Sequence, residues 1–216
     1  MQTRQTLRAT AKSNNSALEA ILKGGYNFKD NYSTALEGAK DTIYNCNTEG
    51  LNLLFTYGFR PRTLEDRYAL VVALVSAHSQ LKHPGFGEMP STKARRMLTI
   101  LEYYHVCVGL DITDKEGNTV LWEFADDAEA CKLAIELGVS RRHRNKKGKT
   151  AYEYALDCID KKIEFQQRVM EACRTLSTSE EFYHAGIDEE AVSNYNPQCF
   201  GLEISGYIEC LDVIRV

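Results

Sequence analysis

Asp114-Lys-Glu-Gly-Asn-Thr-Val-Leu-Trp-Glu-Phe-Ala125 is answered, 31 residues on, by Asn145-Lys-Lys-Gly-Lys-Thr-Ala-Tyr-Glu-Tyr-Ala155. Between the two phrases lies Glu129-Ala-Cys-Lys-Leu-Ala-Ile-Glu-Leu-Gly138, an apolar-periodic segment that ends in glycine. Each unit reads as a turn, a helix and a second helix closed by Gly, after which the turn begins again. Self-similarity at this period marks a chain of stacked supersecondary units, each burying its apolar face against the next. Such a body offers a long surface to other macromolecules and brings no chemistry of its own.

Composition agrees with a folded, water-facing chain. The 216 residues are 44% hydrophobic and 26% charged, ordinary for one or two domains. No apolar run approaches the roughly 20 residues that span a bilayer. The N-terminus, Met1-Gln-Thr-Arg-Gln-Thr-Leu-Arg8, lacks the apolar core of a secretory signal. The seven cysteines, at 46, 107, 131, 158, 173, 199 and 210, are odd in number and form no C-x-x-C pair. That excludes a zinc ribbon or thioredoxin-like signature and predicts reduced thiols in a cytoplasmic protein with no membrane partner.

The net charge of −4 hides an asymmetry. Residues 177–216 hold eight acids against one base, Arg215, a net −7 that leaves +3 on the rest. A mildly basic body with an acidic tail suits mutual attraction or two different partners, and it suits plain solubility as well.

Weaker copies flank the duplicated phrase. Thr34–Ala39 and Tyr68–Ala73 match its first helix, while Glu49–Gly58, Met97–Glu102 and Ser16–Gly25 match its second. Thr150–Leu156 and Lys162–Leu176 supply a last pair, the latter long and amphipathic. Five helix pairs result, near 1–29, 30–63, 64–112, 113–145 and 146–176. These residues resemble ankyrin repeats, a family written around D-x-x-G-x-T-P-L-H-x-A-A and L-E-V-V-x-L-L-L-x-x-G-A. The likeness is close over 114–156, recognisable over 30–63 and faint over 1–29 and 64–112.

The physical demands of that layout are met residue by residue. Thr119 and Thr150 suit the cap of a first helix. Small Ala39, Ala73, Ala125 and Ala155 allow helices to approach closely. Gly25, Gly58 and Gly138 suit a left-handed close of the second helix, and Gly117 and Gly148 suit tight fingertip turns. The departures are informative too. Trp122 replaces the family's histidine, so that residue's hydrogen bond must be absent or replaced. The interval of 31 falls short of the usual ~33, with the shortening placed between Thr119 and Glu129. Residues 70–75, Leu-Val-Val-Ala-Leu-Val, read as a central buried helix, although their β-branching also admits a strand.

Two regions leave the pattern. Ser76–Lys93, with Pro84, Gly85, Gly87 and Pro90, reads as an insertion loop that sets Phe86 either in solvent or against its neighbours. Beyond Leu176, Ser177-Thr-Ser-Glu-Glu signals a short helix, and 201–216 alternates as a strand pair turned at Ser205-Gly206. This acidic segment reads as a cap over the last repeat or as a docking tail presenting Glu180, Glu181, Tyr183 and Tyr195. The predicted fold is therefore an all-α ankyrin-like repeat solenoid of about five repeats, over 1–176. A small C-terminal cap containing a short β-hairpin follows, over 177–216.

Motifs for catalysis are missing. No P-loop, H-E-x-x-H or G-x-S-x-G occurs, and the acid pair Asp126–Asp127 falls in a helix–helix turn. His78, His83, His105 and Cys107 invite a metal reading, but nothing in their spacing demands one. His105 and Cys107, two apart, would point to different sides of a helix, which argues against a nucleophile pair. The expectation is a protein without enzymatic activity, cofactor or metal.

The strongest binding candidate is the basic finger Arg141-Arg-His-Arg-Asn-Lys-Lys-Gly-Lys149, contributing Arg141, Arg142, His143, Arg144, Lys146 and Lys147. Its charge density steers an acidic protein partner, and it is also what basic choices at the free positions of a turn would look like. Arg60 and Arg62 extend the stripe, Asp114 and Glu116 interrupt it, and Phe86 offers a second contact. Nucleic acid is disfavoured because the basic footprint is narrow and the whole chain is acidic. The resemblance implies an intracellular protein–protein module that inhibits, sequesters or bridges its partner, similar to small divergent ankyrin proteins directed at host defence. The competing reading makes the acidic tail a ligand or nucleic-acid mimic on a repeat scaffold.

Overall fold

The computed structural model describes residues 2–79, 90–175 and 197–215, and within them the chain is all helical. Ten helices occur among the described residues. They are α1 (Gln2–Ser13), α2 (Asn15–Lys23), α3 (Tyr32–Tyr44), α4 (Thr48–Thr56) and α5 (Leu64–Ser79). After them come α6 (Pro90–Tyr103), α7 (Val120–Glu123), α8 (Ala128–Glu136), α9 (Ala151–Thr175) and α10 (Pro197–Ile214). Helix α1 packs on α3, α3 on α5, α5 on α7 and α8, and α7 on α9. In parallel, α2 packs on α4 and α4 on α6. Within the pairs, α1 meets α2, α3 meets α4, α5 meets α6 and α7 meets α8.

Buried positions follow this pairing. Ala39, Ala73, Ala125 and Ala155 are all buried, and so are Leu70, Val71, Leu74 and Val75 of α5, which is a helix and not a strand. Phe55, Phe59, Leu51 and Leu54 are wholly enclosed. Each such side chain contributes about 1.5–3 kcal/mol relative to exposure. Ion pairs reinforce the first two pairs: Arg8 on α1 donates from Nε to Asp41 Oδ2 on α3 at 2.8 Å and from a terminal nitrogen to Oδ1 at 3.3 Å, with Glu37 4.0 Å away.

Helix ends recur in kind. After α4, Gly58 N–H bonds to the Phe55 carbonyl and Phe59 N–H to that of Leu54; after α8, Gly138 and Val139 do the same to Ile135 and Ala134. After α6 the pattern is identical with His105 and Val106 bonding to Glu102 and Leu101. This double bond pattern needs a left-handed residue at the first position. Accordingly φ is 85° at Gly25, 101° at Gly58, 58° at His105 and 107° at Gly138. The intervals between these four are 33, 47 and 33 residues. The side chains of Asn14, Asn47 and Asp127 each accept from the amide three residues on, at 3.0 Å, capping α2, α4 and α8. Such caps supply partners for the amides that a helix start leaves unpaired.

Three sequence expectations are corrected. Residues 76–79 continue α5, and α6 starts at Pro90, a first-turn position where proline's missing N–H costs nothing. Residues 76–79 and 90–93 of the predicted insertion loop are thus helical, and 80–89, with Phe86, His83 and Pro84, lie outside the described residues. Thr150–Leu156 and Lys162–Leu176 are not two helices but parts of one, α9, because no Gly or Pro separates them.

The third correction concerns the C-terminus. The expected strand pair over 201–216 is helix α10, which packs on α8 and α9. Alternation was outcompeted by a second periodicity in the same residues. Tyr207, Cys210, Leu211 and Ile214 recur at spacings of three and four and form one stripe toward the core, with Cys210 and Ile214 fully buried. A turn at Ser205-Gly206 would have split that stripe. Gly206 instead lets α10 press against the Asp126 carbonyl, where a Cβ would overlap the oxygen. The proposed short helix at 177–183 and the residues Glu180, Glu181, Tyr183 and Tyr195 lie outside the described residues.

Candidate functional site

The basic finger joins α8 to α9 and is built as the twin of the turn before α7. In the first turn, Asp114 Oδ1 accepts from the amides of Glu116 and Asn118, and the Asp114 amide bonds to the Asn118 carbonyl. In the second, Asn145 Oδ1 accepts from Lys147 and Lys149, and the Asn145 amide bonds to the Lys149 carbonyl. Gly117 and Gly148 take the left-handed position in each, at φ 81° and 74°. The two turns lie side by side. Lys146 donates its amide to Glu116 O at 3.0 Å, and Asn145 Nδ2 donates to Asn118 Oδ1 at 2.8 Å. The duplicated phrase is therefore a duplicated object whose copies hold each other.

Most of the charged side chains on this finger have structural partners. Arg141 donates to the Arg215 carbonyl at 3.3 Å, which ties the finger to the end of α10. Arg144 donates to the Gly148 carbonyl and pairs with Glu153 Oε2 at 3.1 Å. Lys146 Nζ donates to Lys115 O at 2.6 Å, and Lys149 pairs with Asp157. His143 Nε2 lies 2.8 Å from Gly117 O, and because a carbonyl only accepts, that nitrogen carries the proton. Its ring stands edge-on to Trp122, 6.0 Å between centroids. Arg142 and Lys147 are different: both are exposed, and among the described residues their side chains make no hydrogen bond or ion pair.

The two threonines behave unequally. Thr150 and Glu153 form a reciprocal cap: Glu153 N–H donates to Thr150 Oγ1 at 3.2 Å, and Thr150 N–H donates to Glu153 Oε2 at 2.7 Å. The Thr150 amide, ahead of Arg144, holds the Glu153 carboxyl below its ordinary value of 4.5. Thr119 makes no side-chain cap, contrary to expectation, and Trp122, three residues on, has no carboxylate to return a bond. Thr119 Oγ1 and Trp122 Nε1 are both buried without a partner among the described residues. The imidazole beside Trp122 is His143 of the following finger, which bonds to Gly117 and leaves the indole N–H unpaired among the described residues. Helix α7, between the two turns, is only four residues long.

Arg60 and Arg62 also serve the fold. Arg60 donates to the carbonyls of Phe55 and Phe59, at 2.5 and 2.6 Å, closing the end of α4 while stacking 5.0 Å from the Tyr104 ring centroid. Arg62 sits 4.0 Å from the Tyr32 ring centroid and reaches the carbonyls of Phe28 and Lys29. Asp114 is spent on its own turn, and Glu116 pairs with Lys115 at 3.7 Å.

Of the residues once considered for chemistry, Cys107 is buried, and burial, with Glu102 second, pushes its thiol up to about 12. Asp127 is a helix cap, not half of an acid pair. Among the described residues no three His, Cys, Asp or Glu side chains are placed to hold a metal ion. No described helix is long and apolar enough to cross a membrane. One contact escaped the sequence reading: Cys46 Sγ lies 3.6 Å from His78 Nε2, across 32 residues. Only the α3–α5 packing brings the two together.

The chain matches no protein-family model, and no curated protein matches it either.

Proposed function

We propose that the chain is an ankyrin-like repeat module without enzymatic activity, which binds an acidic surface of a protein partner inside the cytoplasm. The observation that carries this reading is the finger. Its backbone is fixed by two interlocked turns, while the exposed side chains of Arg142 and Lys147 have no partner among the described residues. Cations held on a rigid base and left unpaired lose little entropy on meeting carboxylates, and their field raises the rate of encounter. The ankyrin part rests on the 33-residue intervals from Gly25 to Gly58 and from His105 to Gly138, and on the fingers' twin geometry. Function follows by occupancy: an inhibitor, adaptor or sequestering protein changes what its partner can touch. Packing of α10 on α8 and α9 favours a cap over a free docking tail for that helix.

The test uses the pair Arg142→Glu and Lys147→Glu, because reversing Arg141 or Arg144 would also break contacts within the fold. Affinity capture from the native cell should lose the wild-type partner with the double variant while the melting temperature stays unchanged. Equal capture by both proteins would remove the finger from the account. A partner retained by the variant but lost on deleting 177–216 would transfer binding to the acidic tail.

A further inference from the structure

We propose that Cys131 and Cys210 are a dithiol modification site, where a low-molecular-weight disulfide oxidises the pair to a reversible crosslink between α8 and α10. The two thiols are free, 79 residues apart in sequence, and their sulfurs lie 3.9 Å apart. Both aim at one acceptor at the end of α7, the Phe124 carbonyl, Cys131 Sγ at 3.0 Å and Cys210 Sγ at 3.4 Å. Sulfurs at that separation are in van der Waals contact, and side-chain rotation with a small helix shift closes it to a bond.

The backbone brings the sulfurs together, independently of any contact between them. Gly206 lies so close to the turn between α7 and α8 that a Cβ there would overlap the Asp126 oxygen. Cys210 follows Gly206 by one turn on the same face of α10. Cys131 stands one turn into α8, its amide bonded to Asp127 O at 3.0 Å. The backbone contact thus sets the spacing of the two helices, and the cysteines fill the next layer, both without exposed surface. Small apolar side chains would fill it equally well, but two thiols in contact add a chemistry that alanine lacks.

While α10 is seated, the pair is protected. The Cys210 thiol, ahead of burial, holds the Cys131 thiol far above its ordinary value, and buried thiols in that state are inert. Oxidation therefore runs through local lifting of α10 from α8. The Cys210 thiol gives its proton to water, and its thiolate attacks one sulfur of the reagent. A mixed disulfide forms and one reagent thiolate leaves. The Cys131 thiol gives up its proton in turn, and its thiolate attacks the Cys210 sulfur. The protein disulfide forms and the second reagent thiolate leaves. Two protein thiols are oxidised, one disulfide is reduced to two thiols, and the two protons end on those thiols. The product ties α10 to α8 and so resists the lifting that allowed it.

The test uses the intact, fully reduced chain and oxidised glutathione at about pH 8, where a freed thiol is partly ionised. Remaining thiols are blocked with iodoacetamide in denaturant. Cleavage after glutamate then puts Cys131 and Cys210 in separate short peptides, each without a second cysteine. Unreduced digests should show these two peptides joined. Oxidation should raise the melting temperature of the wild type by about 5–10 °C, and dithiothreitol should reverse the rise. The same treatment should not raise that of Cys210→Ala, which takes the same adducts elsewhere, and Cys131→Ala repeats the comparison from the other helix. Joining to a different cysteine, or joining seen only once the chain is unfolded, would overturn the proposal. So would Cys131 and Cys210 recovered alkylated while Cys158 carries glutathione, or a joined chain that melts no higher than its reduced form.

Discussion

The His143 imidazole rests 2.8 Å from the carbonyl oxygen of Gly117, so a residue of the second finger closes over the turn of the first. The same ring packs edge-on against Trp122. A residue that the sequence suggested as a binding cation is thereby the clasp between two turns. On the clasped finger, Arg142 and Lys147 are the exposed charges whose side chains have no partner among the described residues.

Close approach of the two turns makes Gly117 and Gly138 unequal. Both are left-handed, but a Cβ on Gly117 would meet the Lys146 amide nitrogen at 3.1 Å, while one on Gly138 meets nothing within 4 Å. Gly138→Ala should therefore cost about 1 kcal/mol, the backbone strain alone, and Gly117→Ala about 2–3 kcal/mol. Urea unfolding of the two variants decides it. Equal losses would mean that the fingers do not interlock.

His105 is a non-glycine residue doing a glycine's work at the end of α6, exposed and at φ 58°. His105→Gly removes the strain and adds some unfolded-state entropy, for a net gain of about 0.5–1 kcal/mol. A higher denaturation midpoint with an unchanged slope is the expected signature. A loss of stability would mean that the imidazole makes a contact worth more than the strain.

Glu153 gives the finger a pH dependence. Its folded-state value is depressed by the Thr150 amide and by Arg144, so its contribution is present above the ordinary carboxylate value and lost as pH falls through the lower folded one. Glu153→Gln should melt below wild type at pH 7, and the two should converge as pH falls through the lowered folded-state value. A gap that persists in acid would place the effect elsewhere.

Helix α10 depends on one missing methyl group. Alanine for glycine inside a helix ordinarily stabilises by about 1 kcal/mol. At Gly206 the new Cβ would strike the Asp126 carbonyl, so Gly206→Ala should instead destabilise by about 1–3 kcal/mol and loosen α10 from α8. Faster proteolysis within 197–215, at unchanged helix content elsewhere, is the measurement. A more stable variant would show that α10 is not held there.

The sequence by itself determined the paired helices between 16 and 138, the glycine-closed ends at 25, 58 and 138, and the duplicated turns at 114 and 145. These are local matters: periodicity, caps and the freedom of glycine act within a few residues of where they are written. What depends on partners far along the chain came only with the tertiary structure. The 201–216 segment satisfied both a strand and a helix pattern, and only the surface of α8 and α9 chose between them. Arg141, Arg144 and Lys146 read as free charges because their acceptors, the carbonyls of Arg215, Gly148 and Lys115 and the Glu153 carboxylate, are brought to them by turns and packing. Cys46 and His78, 32 residues apart, form no motif at all. Short-range order is encoded by residue type, whereas a site is a meeting of distant side chains, and packing alone arranges it.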